Sequence, residues 1–212
     1  MNTPYFLYSI GCSTRTICDF INILKKYHIK VVADVRSVPY SRFTPQYNAE
    51  FLKKELLKNK IRYGSFAKEF GARRDEDFVY LNNTVDFNKV MSLQVFKDGV
   101  NRIRHGLEQG YSIALMCTEY DPLDCHRLSL VSRGIKKISG ISTKHIYELN
   151  KIRSTEELED EILKKFDLQF DLFENREMLL ERAYKILENK IAYSKPYSEN
   201  THAIKQEIFD YV

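Results

Sequence analysis

The 212-residue sequence has few of the residues that keep chains open: 8 Gly and 5 Pro, beside 43% hydrophobic residues. A disordered or low-complexity chain is excluded by that balance. No run of about 18 apolar residues occurs, which excludes a membrane-spanning helix. Met1–Ile10 has neither a basic leader nor a cleavage site and reads as a first strand, not an export signal. The four cysteines, Cys12, Cys18, Cys117 and Cys125, form no C-x-x-C pair, and without export they are expected to be reduced thiols in the cytoplasm. Neither a G-x-G-x-x-G turn nor a Walker A sequence is present, so ATP hydrolysis by a P-loop is excluded. No zinc-finger signature of nucleic-acid binding occurs.

What is there is unevenly charged. Residues 151–212 carry 10 Lys and Arg against 14 Asp and Glu, leaving 23 against 15 in residues 1–150, a local charge of +8 within a total of +4. The basic part suits an anionic partner, whether nucleotide, phosphoester or nucleic acid.

Strands and helices alternate. Tyr5–Ile10, Ile29–Val35 and Tyr111–Cys117 are near-continuous apolar runs, as strands buried on both faces are. Lys60–Tyr63 and Ser142–Leu149 suggest two more. Helical spacing follows at Ile17, Phe20, Ile21 and Leu24, after Asn48 as a cap, and across Phe87–Leu107. The pattern predicts a three-layer α/β domain over residues 1–150 with a mostly parallel sheet. Residues 151–212 are expected to be a charged helical extension packing on it. Ser154-Thr-Glu-Glu157 is a capping box, and Arg176–Ile191 carries one apolar stripe. Ser194–Val212 is expected to be a loosely docked tail.

In a parallel sheet, ligands collect outside the carboxyl ends of the strands. Three predicted strand ends carry polar loops: Gly11–Arg15, Asp34–Arg42 and Cys117–Arg127. In the third, Asp124 is the expected helix cap, with Cys125, His126 and Arg127 in the first turn, where exposed amides favour an anion and depress a thiol pKa. Cys125 is then a candidate nucleophile or anion-site thiol; alternatively it fills space while His126 and Arg127 tie down carbonyls. In the second loop, Arg36, Ser41 and Arg42 can clamp a carboxylate or phosphate, and Asp34 fits a general base or an orienter of Arg36. In the first, Ser13 and Thr14 can donate to an anion. Tyr40, Tyr47, Tyr63 and Tyr120 lie near this rim and suit either stacking on a base or the lining of the loops. Cys12, Cys117, Cys125 and His126 could converge as a zinc set, but no C-x-x-C pair supports it; no cofactor is predicted, and a structural zinc domain is kept as the third hypothesis. Cys18, among Ile17, Phe20 and Ile21, reads as core, and His145 as a core histidine.

Val32-Ala-Asp-Val-Arg36 with Pro39-Tyr-Ser-Arg42, then Cys117-Thr-Glu119 with Cys125-His-Arg127, resemble the family called domain of unknown function 488. Its hallmark is a D-V-R…P-x-S-R segment followed far downstream by C-x-E-x(5)-C-H-R. The likeness runs from about Tyr5 to Ile146. It implies an α/β domain marked at Asp34, Arg36, Ser41, Arg42, Cys117, Glu119, Cys125, His126 and Arg127. Two departures stand out: Cys12 where the family commonly has an aromatic residue or His, and Phe70-Gly71-Ala72 where it tends to Leu-Gly-Gly.

Together these features suggest a small cytoplasmic enzyme acting on an anionic, phosphate-bearing or nucleotide-like substrate. Cys125, His126, Glu119 and Asp34 are the candidate catalytic groups. Arg36, Ser41, Arg42, Arg127, Ser13 and Thr14 are the candidate binding groups. The alternative is a non-catalytic nucleotide or nucleic-acid binding module. No membrane partner is expected.

Overall fold

Apolar runs too short for helices settle side by side in a computed structural model that describes residues 6–169 and 174–196. Along the chain the strands are β1 (Leu7–Gly11), β2 (Val31–Asp34), β3 (Arg62–Ser65), β4 (Tyr80–Leu81), β5 (Thr84–Val85), β6 (Ile113–Cys117), β7 (Thr143–Glu148) and β8 (Lys151–Ser154). Six of them form one sheet in the order β3-β2-β6-β1-β7-β8, and β4 pairs with β5 in a separate antiparallel ribbon. Every pairing in the large sheet is parallel except β7 with β8.

The period of two along each strand divides the core between the sheet's faces. Ile113, Leu115 and Cys117 of β6 point to one side, with Leu7 and Ala33. Ala114 and Met116 point to the other, with Tyr8, Ile10 and Val32. The second face is covered by α1 (Ile17–Lys26) and α2 (Ala49–Lys58) through Phe20, Leu24, Leu52 and Leu56. The first is covered by the short α3 (Ala67–Phe70), α4 (Phe87–Ser92), α5 (Gln94–Glu108) and α6 (Arg133–Ser139). The result is the expected three-layer α/β arrangement. Each buried Leu, Ile or Phe adds roughly 1.5–3 kcal/mol, before the opposing chain entropy.

The C-terminal helices α7 (Thr155–Lys165) and α8 (Arg176–Ile191) share a third cluster of Leu158, Ile162, Leu179 and Leu187 with Leu123, Leu128 and Tyr147. The capping box forms: Ser154 Oγ accepts from Glu157 N at 3.1 Å, and Glu157 Oε2 accepts from Ser154 N at 2.6 Å. Residues 151–154 pair with β7, so the chain is still in the sheet where the extension was expected to begin. Most of the expected tail, residues 197–212, and Tyr5 lie outside the described residues. No helix among the described residues is long and apolar enough to cross a membrane.

Two local expectations are corrected. The helix expected over Phe87–Leu107 breaks at Leu93, which is extended at φ −60°, ψ 141°. Ser92 Oγ donates to Lys89 O at 2.6 Å, a side-chain bond to the backbone of the last turn before the break. Cys18 is exposed, not core. On α1 it shares a stripe with the exposed Asn22 and Lys25, while Phe20, Ile21, Ile23 and Leu24 face inward.

Candidate functional site

The order β2-β6-β1 makes three strand ends neighbours, and their loops are stitched to one another. Cys12 N donates to Cys117 O at 2.8 Å, Ser13 N to Thr118 O at 2.7 Å and Val35 N to Met116 O at 3.0 Å. The loop after β6 passes so close to Gly11 that a Cβ there would lie 1.7 Å from Glu119 O. Only glycine lets these two loops touch.

Asp34 and Arg36 form a closed, buried system. Arg36 Nε and Nη2 donate to the Asp34 carboxylate at 2.9 and 2.7 Å, and Arg36 N donates to it at 3.1 Å. Arg36 Nη2 also donates to Tyr47 O at 2.8 Å, and Tyr63 donates to Asp34 Oδ2 at 2.9 Å. Burial works against the guanidinium charge, but its bonds to the Asp34 carboxylate and that group's charge more than offset it and hold the Arg36 pKa up. Arg36 is thus largely neutralised where it stands. Ser41 Oγ accepts from Phe43 N at 3.1 Å and Thr44 N at 3.3 Å, which shapes its own turn. Arg42 and Thr14 are exposed, and Ser13 sits in a left-handed turn at φ 48°.

The loop after β6 brings a different set together. Cys125 Sγ lies 2.8 Å and Cys117 Sγ 3.1 Å from the same Glu119 oxygen, Oε2. His126 Nδ1 lies 3.7 Å from Cys117 Sγ, and its Nε2 lies 3.1 Å from Val35 O. A carbonyl only accepts, so Nε2 carries the hydrogen and Nδ1 is left bare in the neutral ring. Arg127 is 1% exposed, and its guanidinium donates to Glu119 O and Tyr120 O, both at 2.7 Å, which fixes the loop that presents Glu119.

The helix start is reset relative to the sequence reading. Asp121, not Asp124, caps a 3-10 turn over Pro122–Asp124, accepting from Leu123 N at 2.9 Å. Cys125 is extended, and the helical run begins at His126, π-wound over Arg127–Ser132 before α6. The amide of Arg127 points back at Cys125 Sγ at 3.5 Å, as a helix amide does toward a cap.

These contacts pull the acidic groups apart. Burial pushes the Glu119 carboxyl above the usual range, and the Cys125 sulfur adds to this. For Cys117, the hydrogen bond with Cys125 and burial both push the thiol up. Burial also opposes ionisation of Cys125, but the Cys117 thiol, the Arg127 charge and His126 override it and bring its pKa below the ordinary value. Burial likewise opposes the charge on His126, yet the Cys125 sulfur raises its pKa. Cys12 stands outside this set; burial pushes it up to about 11, against the pull of Arg36.

A cavity of about 290 Å³ opens over the cluster, lined by Cys117, Glu119, His126, Arg36, Ser37 and Arg73 among others. Tyr193, just beyond α8, closes one side, with the Arg73 guanidinium 5.0 Å from its ring centroid. A second cavity of about 480 Å³ shares Ser37, Val38 and Arg73 with it as lining residues. Of the residues singled out from sequence, Cys117, Glu119, His126 and Arg36 line the first cavity. Cys125 and Arg127 lie behind it, and Ser13, Thr14, Ser41 and Arg42 are outside its lining. Ser37, Arg73 and Tyr193 were missed. The only signal for Arg73 was a pair of arginines after Gly71 in an otherwise irregular stretch. Ser37 Oγ accepts from Arg73 N at 2.9 Å and so sets that segment's position.

A family model described as domain of unknown function DUF488 matches residues 16–133. The chain belongs to that family. The match covers both marked segments, from Asp34 to Arg42 and from Cys117 to Arg127, and so spans the cluster. No curated protein and no solved structure matches the chain.

Cys117, Cys125 and His126 of this DUF488 chain offer three metal-binding atoms within 4.8 Å of one another. His145, by contrast, is enclosed: Ser9 Oγ is 2.7 Å from its Nδ1 and Thr155 Oγ1 is 3.1 Å from its Nε2.

Proposed function

We propose that this chain is an enzyme acting on a small anionic, phosphate-bearing or nucleotide-like substrate in the cavity over Cys117, Glu119 and His126. One observation carries the reading: one cavity is lined by a carboxyl, a thiol and an imidazole together with Arg36 and Arg73. Burial raises the Glu119 pKa, so this carboxyl holds a proton more readily than a free one, which suits it to proton transfer. His126, fixed by Val35 O, presents Nδ1 on the same side. Arg73 is exposed and is the main attraction for an anion, because Arg36 is paired with Asp34. Cys125 works from behind, as the acidic member of the thiol pair.

The test is a panel of phosphate- and carboxylate-bearing small molecules, nucleotides included, followed by mass spectrometry of the products. Glu119→Gln is expected to lower kcat at least about 100-fold. Arg73→Ala is expected to raise KM about tenfold with little change in kcat. Turnover that survives Glu119→Gln unchanged defeats the assignment.

A second reading, nucleic-acid binding without turnover, draws on Tyr40 and Phe43, 64% and 97% exposed, on the loop that carries Arg42. Binding of a single-stranded oligonucleotide that weakens steeply with salt, and weakens again in Phe43→Ala, favours it.

A further inference from the structure

We infer that Cys117, Cys125 and His126 hold one divalent metal ion, zinc by the softness of the donors, with a fourth position open to the cavity and Glu119 beside it. The inference deepens the proposed function by naming the reacting agent of the same site, but the metal site itself does not depend on turnover.

Distance comes first. A tetrahedral zinc with Zn–S near 2.3 Å and Zn–N near 2.0–2.1 Å sets its sulfur and nitrogen ligands about 3.6 Å apart. Cys117 Sγ and His126 Nδ1 are 3.7 Å apart, and all three donor atoms lie within 4.8 Å of one another. The separation is long for a strong hydrogen bond and right for two ligands of one ion.

The surroundings of the donors agree. A ligating imidazole usually donates its other nitrogen to a carbonyl or carboxylate, which fixes the tautomer and frees the ligand lone pair. His126 does this through Nε2 and Val35 O, leaving Nδ1 turned to the sulfurs. Cys125 Sγ accepts from the Arg127 amide, an outer bond that suits a metal-bound thiolate. All three donors sit on rigid ground: Cys117 ends the central β6, the extended Cys125 follows the 3-10 turn over Pro122–Asp124, and His126 begins the helical run beside the buried Arg127.

The donor set also explains a crowding that a plain core does not. Two thiols converge on one carboxylate oxygen at 2.8 and 3.1 Å beside a bare imidazole nitrogen. Three groups that can each carry negative charge are thus packed together, and a divalent cation between them is the natural counter-charge. The Glu119 oxygen is nearer to both sulfurs than about 3.6 Å, so it is not spaced as a fourth ligand. Two thiolates with an imidazole favour zinc over magnesium or calcium, and three protein ligands with an adjoining cavity are the pattern of an open site. The zinc set weighed from sequence as a lesser alternative included Cys12; the geometry gathers a three-donor set without it.

The experiment uses the full chain, untagged and reduced. Metal content is measured first. Zinc is then titrated against a chromophoric chelator, and cobalt is added to the metal-free protein. One equivalent of zinc is expected, with cobalt giving intense sulfur-to-metal charge-transfer bands and the visible bands of a tetrahedral site. Cys117→Ser, Cys125→Ser and His126→Ala are each expected to weaken zinc by at least about 100-fold, and Cys18→Ser to change nothing. Glu119→Gln is expected to keep the cobalt spectrum and bind zinc within about tenfold of wild type, as a neighbour and not a ligand. Less than a tenth of an equivalent of bound zinc, or a cobalt spectrum without sulfur bands, overturns the inference. So does a Cys117–Cys125 disulfide that persists in the reduced protein. Should a ligand variant fail to fold, the wild-type cobalt spectrum still decides. Turnover without metal leaves the enzyme reading standing and removes the metal, whereas metal without turnover does the reverse.

Discussion

Burial opposes the charge on both His145 and His126, yet their pKa values are driven in opposite directions. His145 on β7 is 0% exposed and meets two hydroxyls, those of Ser9 and Thr155. Burial, helped by the positive Arg127, pushes its pKa down to about 3, so it stays neutral. His126 meets the sulfurs and the Val35 carbonyl, and the Cys125 sulfur lifts its pKa although burial opposes this. The acidity of the partners separates the two rings. Neutral hydroxyls complete a core, whereas two thiols and a carboxyl make a centre that can exchange protons or hold a cation.

The largest perturbation should strike the rim and spare the His145 region. Gly11→Ala drives a methyl into the Glu119 carbonyl. It is expected to cost about 4 kcal/mol or more, or to abolish folding, by urea denaturation; near-wild-type stability would show that the loop contact is soft. Next is His145→Ala, which empties a buried site and strips two hydroxyls of partners, at about 3 kcal/mol. Native alkylation of Cys117 and Cys125 should stay as slow as in the wild type. If it rises, the two regions are coupled and the contrast between them fails.

A third measurement follows stability against pH. The unfolded chain binds a proton at His145 below about pH 6.5, while the folded chain resists it until about pH 3. Acidification through that window therefore favours the unfolded state, by up to about 1.4 kcal/mol per pH unit from this group. The slope is expected to disappear from the His145→Asn curve, and its persistence there would assign it to other groups. The smallest effect belongs to Cys18→Ser, within about 0.5 kcal/mol. In the native wild type Cys18 should be alkylated first, with Cys12, Cys117 and Cys125 protected until denaturant is added.

The central strands were legible because Ile113–Cys117 and Val31–Asp34 are apolar on both faces, a pattern that helices of that length rarely share. β8 was not legible. Lys151, Ile152, Arg153 and Ser154 form an edge strand with exposed or half-buried side chains, and the capping box that follows draws attention to the helix instead. The cluster was half legible. Cys117, Glu119, Cys125 and His126 stand within nine residues of one another, but their meeting depends on the 3-10 turn at Pro122–Asp124, which no periodicity announces. Arg127 could be placed near the site but not given its task, since a buried guanidinium on two carbonyls and one aimed at an anion look the same in sequence. Arg73 and Tyr193 are brought together by the fold from segments 120 residues apart, and spacing cannot disclose that.

The π-wound stretch over Arg127–Ser132 works as a phase shifter. A π turn holds roughly one residue more than an α turn, and one residue is about 100° of helical rotation. Downstream, α6 is locked in angle, since any Cβ on Gly134 would lie 2.5 Å from the Phe96 ring. Upstream, His126 turns its Nδ1 toward Cys117 at the end of β6, and the extended Cys125 precedes the helix. The wide turn lets both orientations hold at once, so the aim of the cluster is decoupled from the seating of the core. Length is therefore the vulnerable coordinate of this segment. Losing one residue between 127 and 132 would swing the cluster through more than a quarter turn while leaving every apolar side chain of α6 in place.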